Sequence, residues 1–115
     1  MVLVKIDTCA IWAIGHAGAA QYGADVVCAS CSTLLYLLAY EVSRMDGAGL
    51  LNQAPVIRLE SGDACICAYP KASERKRLEY LFASVGRMFR VLADTYPQFV
   101  SYESGKAGEH KESSP

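Results

Sequence analysis

At 115 residues the chain has room for one domain, because a second hydrophobic core would need roughly 50 residues more. A content of 52% hydrophobic against 20% charged residues excludes a disordered chain. A net charge of -1 excludes a general polyanion binder that neutralises many phosphates with Lys and Arg, so no direct nucleic-acid partner is expected.

The five cysteines are an odd number, and the opening Met1-Val2-Leu3-Val4-Lys5-Ile6-Asp7 has neither a basic n-region nor a small-residue cleavage site. Both features read as a cytoplasmic protein with reduced thiols. The most apolar stretch, Val26 to Tyr40, is broken by Ser30, Ser32 and Thr33 and is shorter than the roughly 18 apolar residues of a bilayer span. No membrane contact is expected.

In chain order, Val2 to Thr8 alternates Val2, Val4 and Ile6 with Leu3, Lys5 and Asp7, and Ala10 to Ile14 is a second β-rich run, so the two predict a hairpin. Gly15 to Ala24 carries glycines at 15, 18 and 23 with few aliphatic residues and reads as a loop of about ten residues. Asp25 stands as the N-cap of a long apolar helix that runs to about Met45 and is closed by Asp46-Gly47. Leu34 to Leu38 are consecutive apolar residues that point all round such a helix, so it is expected to be buried on more than one side, one of them against a partner subunit.

Val56 to Glu60 and Ala64 to Tyr69 flank Ser61-Gly62-Asp63, which is hairpin chemistry. Pro70 stops the second strand. Ser73 is read as the cap of a second helix, with Leu78, Leu81, Phe82, Val85, Phe89, Leu92 and Tyr96 on its core face and Pro97 at its end. Gln98 to Tyr102 adds a last edge strand, and residues 103–115 read as a disordered tail. The order β-β-α-β-β-α(-β) predicts a small α/β domain over residues 1–102, a mostly antiparallel sheet with two helices in a two-layer or sandwiched arrangement.

His16 is the single imidazole of the folded part, since His110 lies in the tail. Cys28 falls near the start of the helix, where unpaired amides and the positive end of the macrodipole favour a thiolate. Cys28 and His16 are therefore candidates for nucleophile and base. On spacing alone the pair is weak, because a cysteine at a helix start is often a small buried hydrophobe and a loop histidine is often on the surface.

The whole string is more specific. Gly15-His16-Ala17, then Gln21-Tyr22-Gly23-Ala24-Asp25-Val26-Val27-Cys28-Ala29, then Ser32 resembles the signature of the ribosomal-processing cysteine proteases (Prp) of bacteria. The resemblance covers about residues 1 to 102. It implies a cysteine protease domain without a cofactor or metal, one that removes a short N-terminal extension from a large-subunit ribosomal protein, cuts after an aromatic residue and works as a homodimer. Carried over by position, it implies Cys28 as nucleophile and His16 as general base, with Gly15, Asp25 and Ser32 in support. Tyr22, Tyr36 and Tyr40 are candidates to line a pocket for the aromatic substrate residue, although core packing accounts equally well for Tyr36 and Tyr40. The sequence departs from the pattern at Cys31, where the family has a small residue, and at Ala64-Cys65-Ile66-Cys67, which replaces a more aromatic or aliphatic strand.

Three other readings compete. Cys28-Ala29-Ser30-Cys31 is a C-x-x-C, as in thioredoxin-like dithiol oxidoreductases, but a loop precedes it where those have a strand, and Val27 precedes Cys28 where those have Trp. Cys28, Cys31, Cys65 and Cys67 have the count for a four-thiolate zinc site, although Cys65 and Cys67 lie two apart in a strand and are read as core packing. A non-catalytic ribosome-associated binding module would use Lys71, Arg75, Lys76, Arg77, Arg87 and Arg90, which read more simply as a solvated helix face.

Overall fold

A computed structural model describes residues 1–18 and 24–105. Two strands, β1 (Val2–Asp7) and β2 (Ala10–Ile14), precede helix α1 (Ala24–Gly47). The strands β3 (Val56–Glu60) and β4 (Asp63–Cys67) follow, then a short 3-10 turn (Ala72–Glu74), helix α2 (Arg75–Thr95) and strand β5 (Val100–Ser104). All five strands join one sheet in the order β3-β4-β2-β1-β5. Three of its pairings are antiparallel, as the alternation predicts, and β5 lies parallel to β1 at the edge, so the sheet is mixed.

The pleat explains the layering. In β1, Val2, Val4 and Ile6 are buried while Leu3, Lys5 and Asp7 are exposed. Register carries that face across the sheet through Val4 opposite Ala13 and Ile6 opposite Ile11, then Ile11 opposite Ile66. Both helices cover this face: Val27, Leu35, Leu38 and Val42 of α1 and Leu78, Phe82, Val85 and Phe89 of α2 join the same core. The domain is therefore two-layered, with no second helical layer among the described residues.

Several boundaries differ from the sequence reading, each for a local reason. Asp25 is the second residue of α1 and not its cap, so it acts on the macrodipole from within the first turn. Helix α1 passes Asp46 and Gly47 and ends in a Schellman motif, where Gly49 (φ 76°) lets Leu50 N–H bond the Met45 carbonyl and its own N–H bond Asp46. Ser73 lies inside the 3-10 turn, and Glu74 occupies the cap position of α2 without a side-chain cap bond. The first hairpin closes on Asp7 opposite Ala10, so Thr8 is a turn residue whose N–H binds the Asp7 carboxylate at 2.7 Å.

Strand β4 stops at Cys67, ahead of Pro70, which forms an isolated bridge with Leu51. The last strand starts later and ends later than expected, so Glu103 and Ser104, assigned to the tail on composition, belong to β5 through pairing with Lys5 and Ile6. Residues 106–115 of the expected tail lie outside the described residues, as do 19–23 of the expected loop.

By length and apolar composition α1 suffices to cross a membrane, a property the shorter run Val26 to Tyr40 does not convey. One face of it is packed on the sheet, and Val26, Tyr36, Leu37 and Tyr40 are exposed. The expectation that α1 is buried on more than one side is thus met on one side only within a single chain.

Candidate functional site

The sheet register determines what meets at the end of β2. Ile14 lies opposite Asp63, so the exit of β2 is level with the β3–β4 turn. The Gly15 N–H continues that ladder by donating to the Gly62 carbonyl at 2.9 Å. Gly15 has φ +104°, and a Cβ there would run into the Met1 carbonyl, so both backbone shape and space require glycine. The next residue, His16, is exposed, and its ring lies against the turn: a Cβ on Gly62 would sit 2.5 Å from Nε2.

Cys28 comes from the other side. It is the fifth residue of α1 and half-buried, and helical side chains lean toward the N-terminus, so its sulfur lies over the first turn. The late position changes one part of the sequence argument. As the fifth residue of Ala24–Gly47, Cys28 has its own amide inside the helix ladder, bonded to the Ala24 carbonyl, so it does not itself offer a first-turn amide.

His16 and Cys28 face one cleft of about 410 Å³ between α1 and the β3–β4 hairpin. Ser32 and Tyr36 continue the Cys28 face of the helix at four-residue intervals and line the same cleft. Val2, Ala13, Leu35, Leu59 and Ala64 make its floor apolar, and Glu60, Ser61 and Asp63 give it a polar, acidic rim. Among the described residues no hydrogen bond joins His16 to Cys28.

The structure thus brings together Gly15, His16, Cys28, Ser32 and Tyr36. Asp25 is exposed in the first turn of α1 and is not part of the cleft lining. Tyr22 lies outside the described residues, and Tyr40 is exposed and lines neither the cleft nor the core. Tyr36 is exposed too, which removes the core-packing alternative for both tyrosines. Sequence reasoning missed the hairpin contribution of Leu59, Glu60, Gly62 and Asp63. No local spacing signals it, because it follows from β4 pairing with β2.

The remaining thiols separate by face. Cys31 is buried one turn beyond Cys28, and burial, with the neighbouring Cys28 adding to it, pushes its thiol up to about 11. Cys65 and Cys67 point to the opposite, outer face of the sheet, Cys65 opposite Trp12 and Arg58, with their sulfurs 3.8 Å apart. Burial and the Cys65 contact push Cys67 up to about 11, against a lowering by Arg58. The two cysteine pairs therefore sit on opposite sides of the sheet, and the four-thiolate zinc arrangement is not formed. On α2, Arg77 pairs with Glu74 at 3.1 Å and Arg87 lies 5.6 Å over the Tyr80 ring, as a solvated helix face would arrange them.

Comparison with known proteins gives a consistent result. A family model described as cysteine protease Prp matches residues 1–101. Among solved structures, SMU.848 from Streptococcus mutans is similar with 22% identity and a TM-score of 0.66, over 90% of this chain and 93% of that one. The essential ribosomal processing protease Prp from S. aureus, in complex with a substrate peptide, is similar with 19% identity and a TM-score of 0.67, over 90% of this chain and 99% of that one. The same protease with a covalently linked product peptide gives 20% identity and a TM-score of 0.66 at the same coverage. At these identities the likeness is one of fold. No curated protein gives a significant match.

Proposed function

From its place in the cysteine protease Prp family, to which the chain belongs by the match over residues 1–101, we propose that it is a cytoplasmic endopeptidase removing a short N-terminal extension from a large-subunit ribosomal protein. The observation that carries the reading is the convergence of His16 and Cys28 on one cleft, from two elements of a chain of that family. The protease from S. aureus that resembles it holds a substrate peptide in one structure and a covalently linked product peptide in another, which supports a peptide substrate here.

In this reading the Cys28 thiolate attacks the peptide carbonyl and His16 takes the thiol proton. The oxyanion accepts hydrogen bonds from backbone amides at the start of α1. His16 then protonates the leaving amine, and water releases the acyl group from sulfur. The imidazole reaches Cys28 when peptide is bound, since apo catalytic contacts are commonly longer than those of the reacting complex.

Supporting roles follow from position. Gly15 sets the backbone before His16, Ser32 offers a hydroxyl one turn beyond Cys28, and Asp25 stabilises the helix start that carries the amides. The apolar floor with Tyr36 suits the aromatic residue before the scissile bond, and Tyr22 is assigned to the same pocket on sequence alone. The rim carboxylate of Glu60 suits the basic character of a ribosomal protein, whereas that of Asp63 is paired with Arg58 at 3.1 Å. Residues 1–102 constitute the protease domain, and the exposed apolar face of α1 makes it a homodimer.

The test is incubation with a ribosomal protein that carries its N-terminal extension, followed by mass measurement. Loss of the extension by the wild type, and none by Cys28→Ala, is expected. An intact substrate after prolonged incubation with the wild type would overturn the reading.

A further inference from the structure

We propose that Cys31 is a resolving thiol for Cys28, so that peroxide-class oxidants close a reversible Cys28–Cys31 disulfide across one turn of α1, which shuts the protease off and protects its nucleophile. The proposal rests on the reading of Cys28 as that nucleophile.

Geometry is the first support. Residues three apart on an α-helix have Cα atoms about 5 Å apart, from the 1.5 Å rise and 2.3 Å radius, inside the roughly 4.4–6.8 Å that disulfides span, while their Cβ atoms, about 5–6 Å apart in a regular turn, must close to the roughly 3.5–4.5 Å of a disulfide. Cys28 and Cys31 also open onto the same cleft, and both are free thiols. The other three cysteines are placed elsewhere: Cys9 in the β1–β2 turn and Cys65 and Cys67 on the outer face of the sheet.

Two side-chain bonds to the helix backbone flank the pair. Ser30 Oγ donates to the Val26 carbonyl at 2.8 Å and Thr33 Oγ1 to the Ala29 carbonyl at 2.9 Å. Such back-bonds to i−4 weaken and bend helices, and these two bracket the turn that must tighten to bring the sulfurs together.

Order of oxidation follows from the environments. Cys31 is buried and Cys28 only half-buried, so the more accessible Cys28 reacts first, and burial with the neighbouring Cys28 pushes the Cys31 thiol up to about 11 in the same sense. Peroxide oxidises Cys28 to the sulfenic acid, the O–O bond breaking with release of water or an alcohol. The Cys31 sulfur then attacks the Cys28 sulfur and expels the hydroxyl, which takes the Cys31 proton and leaves as a second water. Two thiols are oxidised and one peroxide is reduced.

The test treats the full chain with excess hydrogen peroxide and then with dithiothreitol, and compares the wild type with Cys31→Ala, each against its own untreated cleavage rate. Fragment mass spectrometry of the oxidised wild type should locate a Cys28–Cys31 disulfide, whether or not the peptide substrate is cut. The wild type should regain most of its activity on reduction. The variant, whose Cys28 proceeds to the sulfinic and sulfonic acids that thiols do not reduce, should regain on the order of tenfold less. Cys31→Ser serves if the alanine variant does not fold. Equal recovery in wild type and variant, or a disulfide confined to Cys65 and Cys67, would overturn the proposal. Failure of the untreated wild type to cut any ribosomal protein would count against the protease reading alone.

Discussion

The His16 imidazole rests on the backbone of Gly62, so closely that a Cβ at position 62 would lie 2.5 Å from Nε2 and 3.0 Å from Cε1. Residue 62 is 46 positions from residue 16 in the chain, and the contact exists because β2 ends level with the β3–β4 turn. Gly62 also has φ +75°, where a side chain is disfavoured. One residue thus shapes the turn and supports the ring of the proposed general base.

Gly62→Ala should therefore have two separable effects. Strain in the left-handed region should cost about 1–2 kcal/mol, read as a lower urea midpoint. Displacement of the imidazole should lower kcat by about 10²-fold, the scale of a 1 Å misplacement, with a much smaller change in KM. A variant that loses stability but keeps its kcat would show that the contact is only steric filling.

The contrast between Cys28 and Gly62 shows what the sequence holds. Cys28 and His16 were legible because the motif is local: a glycine-histidine pair, a glycine-bearing loop and a helix start within 14 residues. Strand alternation in Val2 to Asp7 and the 3.6-residue spacing of Leu78, Phe82, Val85 and Phe89 were legible for the same reason, since each burial pattern belongs to one element. Gly62, Leu59 and Asp63 were not, because their place at the cleft depends on which strands pair. Asp25 was misread as a cap because an acidic residue suits both the N-cap and the first turn, and only backbone geometry separates the two.

That correction gives a prediction for Asp25. As an exposed first-turn residue it interacts with the macrodipole and not through a cap bond, so Asp25→Asn should lower stability by only about 0.3–1 kcal/mol. The loss should shrink as salt is raised, which chemical denaturation at two ionic strengths would measure.

Stability at alkaline pH should report the two raised thiols. In the folded chain Cys31 and Cys67 ionise at about 11, against 9.0 as the ordinary value. Between these pH values the unfolded chain has lost protons that the folded chain retains, so stability present below pH 9 falls as pH rises. The slope is at most about 1.4 kcal/mol per pH unit for each thiol, and less for the partly exposed Cys67. Cys31→Ala should flatten the fall between pH 9 and 11, and denaturation midpoints across that range would show it.

The exposed face of α1 bears on assembly. Val26, Leu37 and Tyr40 are 58%, 47% and 66% exposed, and their spacing of eleven and three residues places them on one stripe of the helix, which borders the Cys28, Ser32 and Tyr36 row of the cleft where Tyr40 follows Tyr36 by one turn. A stripe of large apolar side chains on a helix whose other face is fully packed is expected to meet a second copy of itself. Light scattering at micromolar concentration should then report twice 12.4 kDa. Leu37→Asp should return the protein to the single-chain mass without unfolding it, since that side chain is outside the core. Because the stripe and the cleft face occupy the same helix, the monomeric variant should also cut more slowly. A fully active monomer would separate dimerisation from catalysis, and a wild type at 12.4 kDa would remove the dimer altogether.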